Sequence, residues 1–208
     1  KSTTIIENFP KIENLDQSNN SKKGIENSII YHGHLAQERG IEDLISAMKY
    51  VIESIPSASL SLVGTFRTED FEIKTKNLIV KLGLESSITI IDQVPHSEIW
   101  PMIKEHKVGV VPFRRTPLTE ENTPTKLFEM MICGLEIVVS ELPPSQHFLS
   151  DSVHWCEPEN IQSISNSIIN ACNMRGNLTN VKKNLELIQQ RYSWEHRQDD
   201  YLALFINQ

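Results

Sequence analysis

The chain has 208 residues, 39% hydrophobic and 23% charged, with a formal net charge of −7 and a pI near 5.5. An acidic chain of this kind is a poor nonspecific nucleic-acid binder, and no apolar run reaches the ~18–20 residues that a membrane span requires. Its length suits one large domain or one domain with an appendage.

Residues 1–27 open with Asn8-Phe9-Pro10 and continue through the polar run Ser18-Asn19-Asn20-Ser21-Lys22-Lys23-Gly24. This composition buries little and reads as a linker. No signal-peptide pattern stands at the start, and the first residue is lysine, so a fragment of a longer protein is expected. The remainder, 28–208, reads as one domain.

Ser28–His32 is apolar enough for a first strand, running into Gly33. From Ile41 the periodicity changes: Ile41, Leu44, Ile45, Met48, Val51, Ile52 and Ile55 share one helical face, and Pro56 stops it. Ser59–Val63 is a second strand ended by Gly64. A helix over Glu69–Leu82 follows, with Phe71, Leu78, Ile79 and Leu82 inward and Gly83 as its cap. Ile88–Ile91 is a third strand, and the next helix begins near Ser97, which puts Pro101 in its first turn. Lys107–Val111 is a fourth strand, followed by a long loop to Thr123 that contains the solvated pair Arg114-Arg115.

The stretch Glu121-Asn122-Thr123-Pro124-Thr125-Lys126-Leu127-Phe128-Glu129 carries the chemistry. Proline suits the first position of a helix because its missing N–H has no partner there anyway. A helix is therefore expected from Pro124 to Cys133, ended by Gly134. Glu121 lies ahead of it and Glu129 inside it, roughly 7–8 Å along the axis at ~1.5 Å per residue. The N–H groups of Thr125, Lys126 and Leu127 would point out of the helix start as an anion site. A carboxylate on each side of an anion site suits a ligand with hydroxyls at both ends and phosphates between. The bland alternative is two solvated glutamates.

Beyond Gly134, Glu136–Ser140 is a fifth strand and 153–155 a short sixth. Three helical patterns close the chain, with Ile161, Ile164, Ile168 and Cys172 inward in the first. Leu178, Val181, Leu185 and Ile188 are inward in the second, and the third carries a stripe of Trp194, Tyr201 and Phe205. Strands alternating with helices predict an α/β fold. It would be a Rossmann-like, doubly wound parallel sheet of about six strands with helices on both faces and extra C-terminal helices. Ligands of such sheets bind beyond the carboxyl ends of the strands, here at Gly33-His34, Gly64-Thr65, Asp92-Gln93, the Phe113–Thr123 loop and Ser140.

Cys133, Cys156 and Cys172 lack metal-ligand spacing and read as reduced core thiols, which points to the cytoplasm. His32 and His34 share a strand side, but no third ligand joins them, so no metal site is expected.

Taken together, Tyr31-His32-Gly33-His34-Leu35 with Arg39-Gly40-Ile41, Leu60–Gly64, Glu121–Glu129 with Gly134 and Ile137-Val138-Val139, and Tyr192-Ser193-Trp194-Glu195 resemble the C-terminal half of a GT-B glycosyltransferase. The group is the retaining one called glycosyltransferase family 4, and the likeness runs from about Asn8 to the end. The resemblance implies two Rossmann-like domains facing a cleft, of which this one holds a nucleotide-sugar donor. The N-terminal domain that holds the acceptor would be missing here, leaving this piece inactive alone. In that group's E-x7-E motif, Glu121 would meet hydroxyls of the transferred sugar and Glu129 those of the ribose. Thr123, Pro124, Thr125, Lys126 and Leu127 would surround the diphosphate, with Gly33, His34 and Arg39 at the first loop and Gln93-Val94 near the base. Arg39 and Glu121 would serve catalysis. His34 stands where arginine is usual.

The resemblance also implies retention of configuration without a metal, no cofactor beyond a UDP- or GDP-sugar substrate, and work in bacterial surface-polysaccharide or lipopolysaccharide assembly. Peripheral membrane association of the parent enzyme stays open. The rivals are an NAD-dependent oxidoreductase, which lacks support because Gly33-His34-Leu35 is not G-x-G-x-x-G, and a noncatalytic nucleotide-sugar-binding module.

Overall fold

The computed structural model describes residues 8–11, 24–174 and 178–206. Its strands are β1 (Ser28–His32), β2 (Ser59–Val63), β3 (Ile88–Ile91), β4 (Val108–Val111), β5 (Glu136–Ser140) and β6 (His154–Cys156). They form one sheet in the order β3-β2-β1-β4-β5-β6, parallel throughout. Every residue of β1, β4 and β5 is buried, as expected where helices cover both faces of a parallel sheet. Edge strand β3 is partly open. The chain reverses its direction of growth between β1 and β4, the point where such sheets leave a crevice at the strand ends.

Helices α1 (Ile41–Ser54), α2 (Glu69–Leu82) and α3 (His96–Lys104) follow the first three strands. After β4 come α4 (Pro117–Glu121) and α5 (Thr125–Ile132), then α6 (Pro143–Phe148) after β5. The chain closes with α7 (Ile161–Asn173), α8 (Thr179–Arg191) and α9 (Trp194–Ile206). On one face α1 packs on α7, and α7 on β4, β5 and β6; elsewhere α5 packs on β4, β5 and α8. Buried Ile41, Leu44, Ile45, Met48 and Val51 join α1 to the core. Thr68 caps α2 by accepting from the Phe71 N–H at 3.2 Å, and Asn160 caps α7 by accepting from Ser163 at 3.0 Å; each satisfies a donor with no partner inside the helix.

Several boundaries differ from expectation. Pro101 lies well inside α3, not in its first turn; it is on an exposed face, where water can serve the carbonyl that its ring leaves unbonded. The loop before the central helix contains α4, closed by a capping box between Thr116 and Thr119 with Pro117 at its first position. Glu121 therefore ends a helix. Pro124 caps α5 and is not its first residue, and α5 stops at Ile132 with Cys133 as its cap. Gly134 is left-handed (φ 79°), as expected. Arg114 is no solvated loop cation: its Nε and Nη2 donate to Asp43 at 2.5 and 2.7 Å. Leu178 is exposed, and Leu185 only half-buried. In the C-terminal stripe Tyr201 is exposed, Trp194 is half-buried and rests on Tyr201, and the Phe205 side chain lies outside the described residues.

The opening segment needs a larger correction. Residues 1–7 and 12–23 of the expected linker lie outside the described residues, but the described parts, 8–11 and 24–27, pack on the domain. Phe9 is buried and meets Phe128 edge-on at 5.1 Å, Phe148 at 6.0 Å and Tyr192 at 5.5 Å. The Trp194 N–H donates to the Pro10 carbonyl at 3.0 Å, and Ile25 donates to Glu105 at 2.9 Å. An aromatic residue flanked by polar ones is easily lost in a composition average, yet its ring alone can anchor a segment. Phe9→Ala should cost about 3 kcal/mol of unfolding free energy, at the low end for a buried Phe truncation; a urea midpoint equal to wild type would return residues 8–11 to linker status.

Candidate functional site

A cleft of about 220 Å³ opens at the carboxyl ends of β1, β2 and β3. His32, Gly33 and His34 line it from β1, Val63, Gly64 and Thr65 from β2, Gln93, Val94, His96 and Ile99 from the segment after β3, and Glu129 from α5. Glycine is required at two of these positions. A side chain on Gly64 (φ 146°) would put its Cβ 2.0 Å from the Gly33 carbonyl oxygen, and one on Gly33 (φ 106°) would put it 2.6 Å from Lys126 Nζ. Thr65 Oγ1 donates to Gln93 Oε1 at 2.9 Å, tying the ends of β2 and β3 together.

Glu129 sits between two imidazoles. His96 Nε2 is 3.1 Å from its Oε1, and His32 Nε2 is 3.5 Å from its Oε2. His32 Nε2 is buried and, among the described residues, has no hydrogen-bond partner. Burial, then the neighbouring Lys126 charge and a smaller push from His96, drive His32 down to about 3, against an opposing hydrogen bond from the ring to the Lys126 backbone. The ring is neutral at physiological pH. His96 is exposed and meets Trp100 edge-on at 5.7 Å.

The positive side of the site is built around Phe113, which follows β4. Arg39, ending a 3-10 turn at Gln37–Arg39, lays its guanidinium 4.5 Å from the Phe113 ring centre. The Lys126 ammonium lies 5.3 Å from the same ring and 4.3 Å from that of Tyr31. It donates to Tyr31 Oη at 2.8 Å. Burial first, and repulsion from Arg39 second, lower Lys126 to about 7, opposed by Glu129. Two cations sharing one aromatic ring, one of them half discharged, make a site that favours an arriving anion.

The structure brings Gly33, His34, Gln93, Val94 and Glu129 to one cleft and sets Lys126 against Gly33. Glu121, Thr123, Pro124, Thr125 and Leu127, and likewise Arg39 and Lys126, are not among the cleft-lining residues, and Glu121 is exposed at the end of α4. The expected anion site is narrower by one donor: the Leu127 N–H bonds the Pro124 carbonyl at 2.9 Å, and the Leu127 side chain is fully buried. Thr125 and Lys126 keep their N–H groups. The sequence reading missed Tyr31, Phe113 and His96, and weighed His32 only as half of a metal pair. Among the described residues no group of three His, Cys, Asp or Glu could hold a metal ion, and no helix is long and apolar enough to cross a membrane. Burial pushes the thiols of Cys133 and Cys156 up to about 12 and that of Cys172 up to about 11. They are inert at neutral pH.

The family model for glycosyl transferases group 1 matches residues 12–192. The chain belongs to that family. This group 1 domain is 25% identical over 176 residues to the uncharacterized glycosyltransferase MJ1607 of Methanocaldococcus jannaschii, which covers 82% of the chain and 42% of that protein. Structural neighbours repeat the fold at lower identity. A TarM variant from S. aureus, crystallised with fondaparinux, alpha-GlcNAc-glycerol and UDP, superposes with a TM-score of 0.80 at 20% identity, covering 97% of this chain and 39% of TarM. HepE from Anabaena, with UDP and glucose, gives 0.76 at 18%, covering 93% and 51%. The C-terminal domain of LpcC from Francisella tularensis gives 0.74 at 15%, covering 88% of this chain and 98% of that domain. The group 1 domain thus spans less than half the length of its curated relative. It is a glycosyltransferase domain with the GT-B C-terminal architecture.

Keeping an amine charged in this setting costs stability. The folded-state value of Lys126 lies below the ordinary lysine value, so the unfolded chain holds more protons between about pH 7 and 10.5, and stability from this group rises with pH across that window. Lys126→Met should therefore stabilise the fold at pH 6.5 by about 1–2 kcal/mol, with the advantage shrinking toward pH 10. Thermal midpoints of both proteins across pH 6–10 check this; a variant that melts lower at pH 6.5 contradicts it.

Proposed function

We propose that this domain holds a nucleoside-diphosphate sugar, UDP-linked or GDP-linked, for transfer to an acceptor carried by an N-terminal domain of the same enzyme. The observation that carries the reading is the cleft itself: the Glu129 carboxylate lies beside a glycine turn that the Lys126 ammonium abuts, and Lys126 shares the Phe113 ring with Arg39. Hydroxyls of a ribose suit Glu129, which can accept two hydrogen bonds. The diphosphate suits the side of Gly33, Arg39 and Lys126 and the open N–H groups of Thr125 and Lys126. The Gln93-Val94 segment closes the base end. Glu121 would meet hydroxyls of the transferred sugar from the end of α4. UDP in the TarM and HepE structures supports the nucleotide class.

The chemistry follows from the charge. Departure of a nucleoside diphosphate concentrates negative charge on phosphate oxygens, and fixed donors aimed there lower the barrier. Arg39, Lys126 and the start of α5 supply that charge from the protein, which is how metal-independent transfer would proceed. Attack by the acceptor on the face that the leaving group vacates would retain the anomeric configuration. Surface-polysaccharide or lipopolysaccharide assembly in the bacterial cytoplasm, with the parent enzyme peripheral to the membrane, is the setting we propose.

Binding of UDP and of uridine, measured by calorimetry on the same preparations, tests the assignment. Glu129→Ala should weaken both by about 1–3 kcal/mol, the scale for hydrogen bonds to a charged group. Arg39→Ala should weaken UDP alone. Affinity for UDP should also fall as pH rises from 7.5 to 9, where the diphosphate no longer titrates, because binding must recharge Lys126; uridine should be flat. Wild-type protein that ignores UDP and GDP, or Glu129→Ala with unchanged affinity, would sink the reading.

A further inference from the structure

β1 places a phenol where the sheet needs only a hydrocarbon. Tyr31 belongs to a strand buried at every position, and none of its surface is exposed. A buried hydroxyl left without partners destabilises the fold, and here it finds two. It donates to the His34 carbonyl at 2.8 Å and accepts from Lys126 Nζ at 2.8 Å. The two partners are distant from each other in the chain, one in the turn just after β1 and one in the first turn of α5. The turn is otherwise held on its flanks, by Gly33 N–H to Val63 at 2.8 Å and Leu35 N–H to Thr65 at 2.9 Å. Tyr31 holds the residue between them. Burial raises its ionisation far above the ordinary tyrosine value, Arg39 opposing and Glu38 adding slightly, so the hydroxyl keeps its proton throughout the working range.

We infer that Tyr31 is a positioning residue: its hydroxyl braces the Gly33-His34 turn and holds the Lys126 ammonium beneath it, so that both face the diphosphate together. The charged and titratable groups around this brace are Arg39 and Glu38 from the turn before α1, Glu129 from α5, and His32 from β1. None of them replaces the hydroxyl, because none joins the turn to α5 at this point. Phenylalanine at position 31 would fill the same volume and leave both partners loose. The inference rests on the donor-site reading, specifically on the diphosphate lying at Gly33 and Lys126.

The test is Tyr31→Phe, with UDP and uridine measured on one preparation. UDP affinity should fall about five- to tenfold, the range for one hydrogen bond of ordinary net strength, while uridine stays within about twofold. Loss of the accepting oxygen favours the neutral amine, so the pH at which UDP affinity begins to fall should move down. A role limited to packing would lower the thermal midpoint and leave the UDP-to-uridine ratio and the pH profile unchanged, and that result overturns the inference. Should the single variant fail to fold, the comparison moves to the Lys126→Met background. There the UDP-to-uridine affinity ratio of the double variant should stay within about twofold of that of Lys126→Met alone, and a further five- to tenfold loss for UDP alone overturns the inference. Wild-type protein that binds neither ligand overturns the donor reading and this one with it, whereas equal losses for both ligands overturn this one alone.

Discussion

The whole site depends on a close approach of backbone to backbone at the end of the sheet. The Gly33 carbonyl fits against Gly64, and the Lys126 ammonium fits against Gly33, with no Cβ at either glycine to hold them apart. This layering draws the turn after β1 down between β2 and α5, and it brings a cation from one element against the backbone of another. Tyr31 and Phe113 then enclose that cation with aromatic surface. Depressed basicity at Lys126 is the direct result, because the space that admits it excludes the water that would solvate its charge.

The same layering sets the division of labour across the cleft. Glu129 stands in the cleft between two imidazoles, and the two cations gather around Phe113, outside the cleft lining, with Lys126 against Gly33. His32 keeps the two ends from short-circuiting: neutral, buried and without a hydrogen-bond partner at Nε2 among the described residues, it presents a polar edge without adding a charge. A ligand that is neutral and hydroxylated at one end and anionic at the other meets complementary chemistry at both.

Much of this was legible in the sequence because several signals agreed. β1, β2, β3 and β5 fall at the predicted residues, as does α2, since apolar runs bounded by Gly33, Gly64 and Gly83 leave little freedom in register or length. Of the glutamates eight residues apart, Glu129 lies in the cleft together with the glycine turn, whereas Glu121 does not line it. α4 was readable too: Thr116-Pro117 with Thr119 is a helix start of the usual kind, hidden only because the helix itself is so short. The roles of Tyr31, Phe113 and His96 could not be read in the same way. Each looks like an ordinary strand, loop or helix residue, and its significance comes from contacts with segments distant in the chain. Phe9 escaped for the opposite reason, as one anchor within a segment whose average composition says linker.

That anchor gives the domain a mechanical property. The first described residues and the start of α9 meet at the Pro10–Trp194 hydrogen bond, and both rest on an aromatic corner that includes Phe128. Phe128 is the immediate neighbour of Glu129 along α5. One short helix thus carries both the anchor for residues 8–11 and the carboxylate of the cleft, so a change in the seating of Phe128 bears on the backbone from which Glu129 projects.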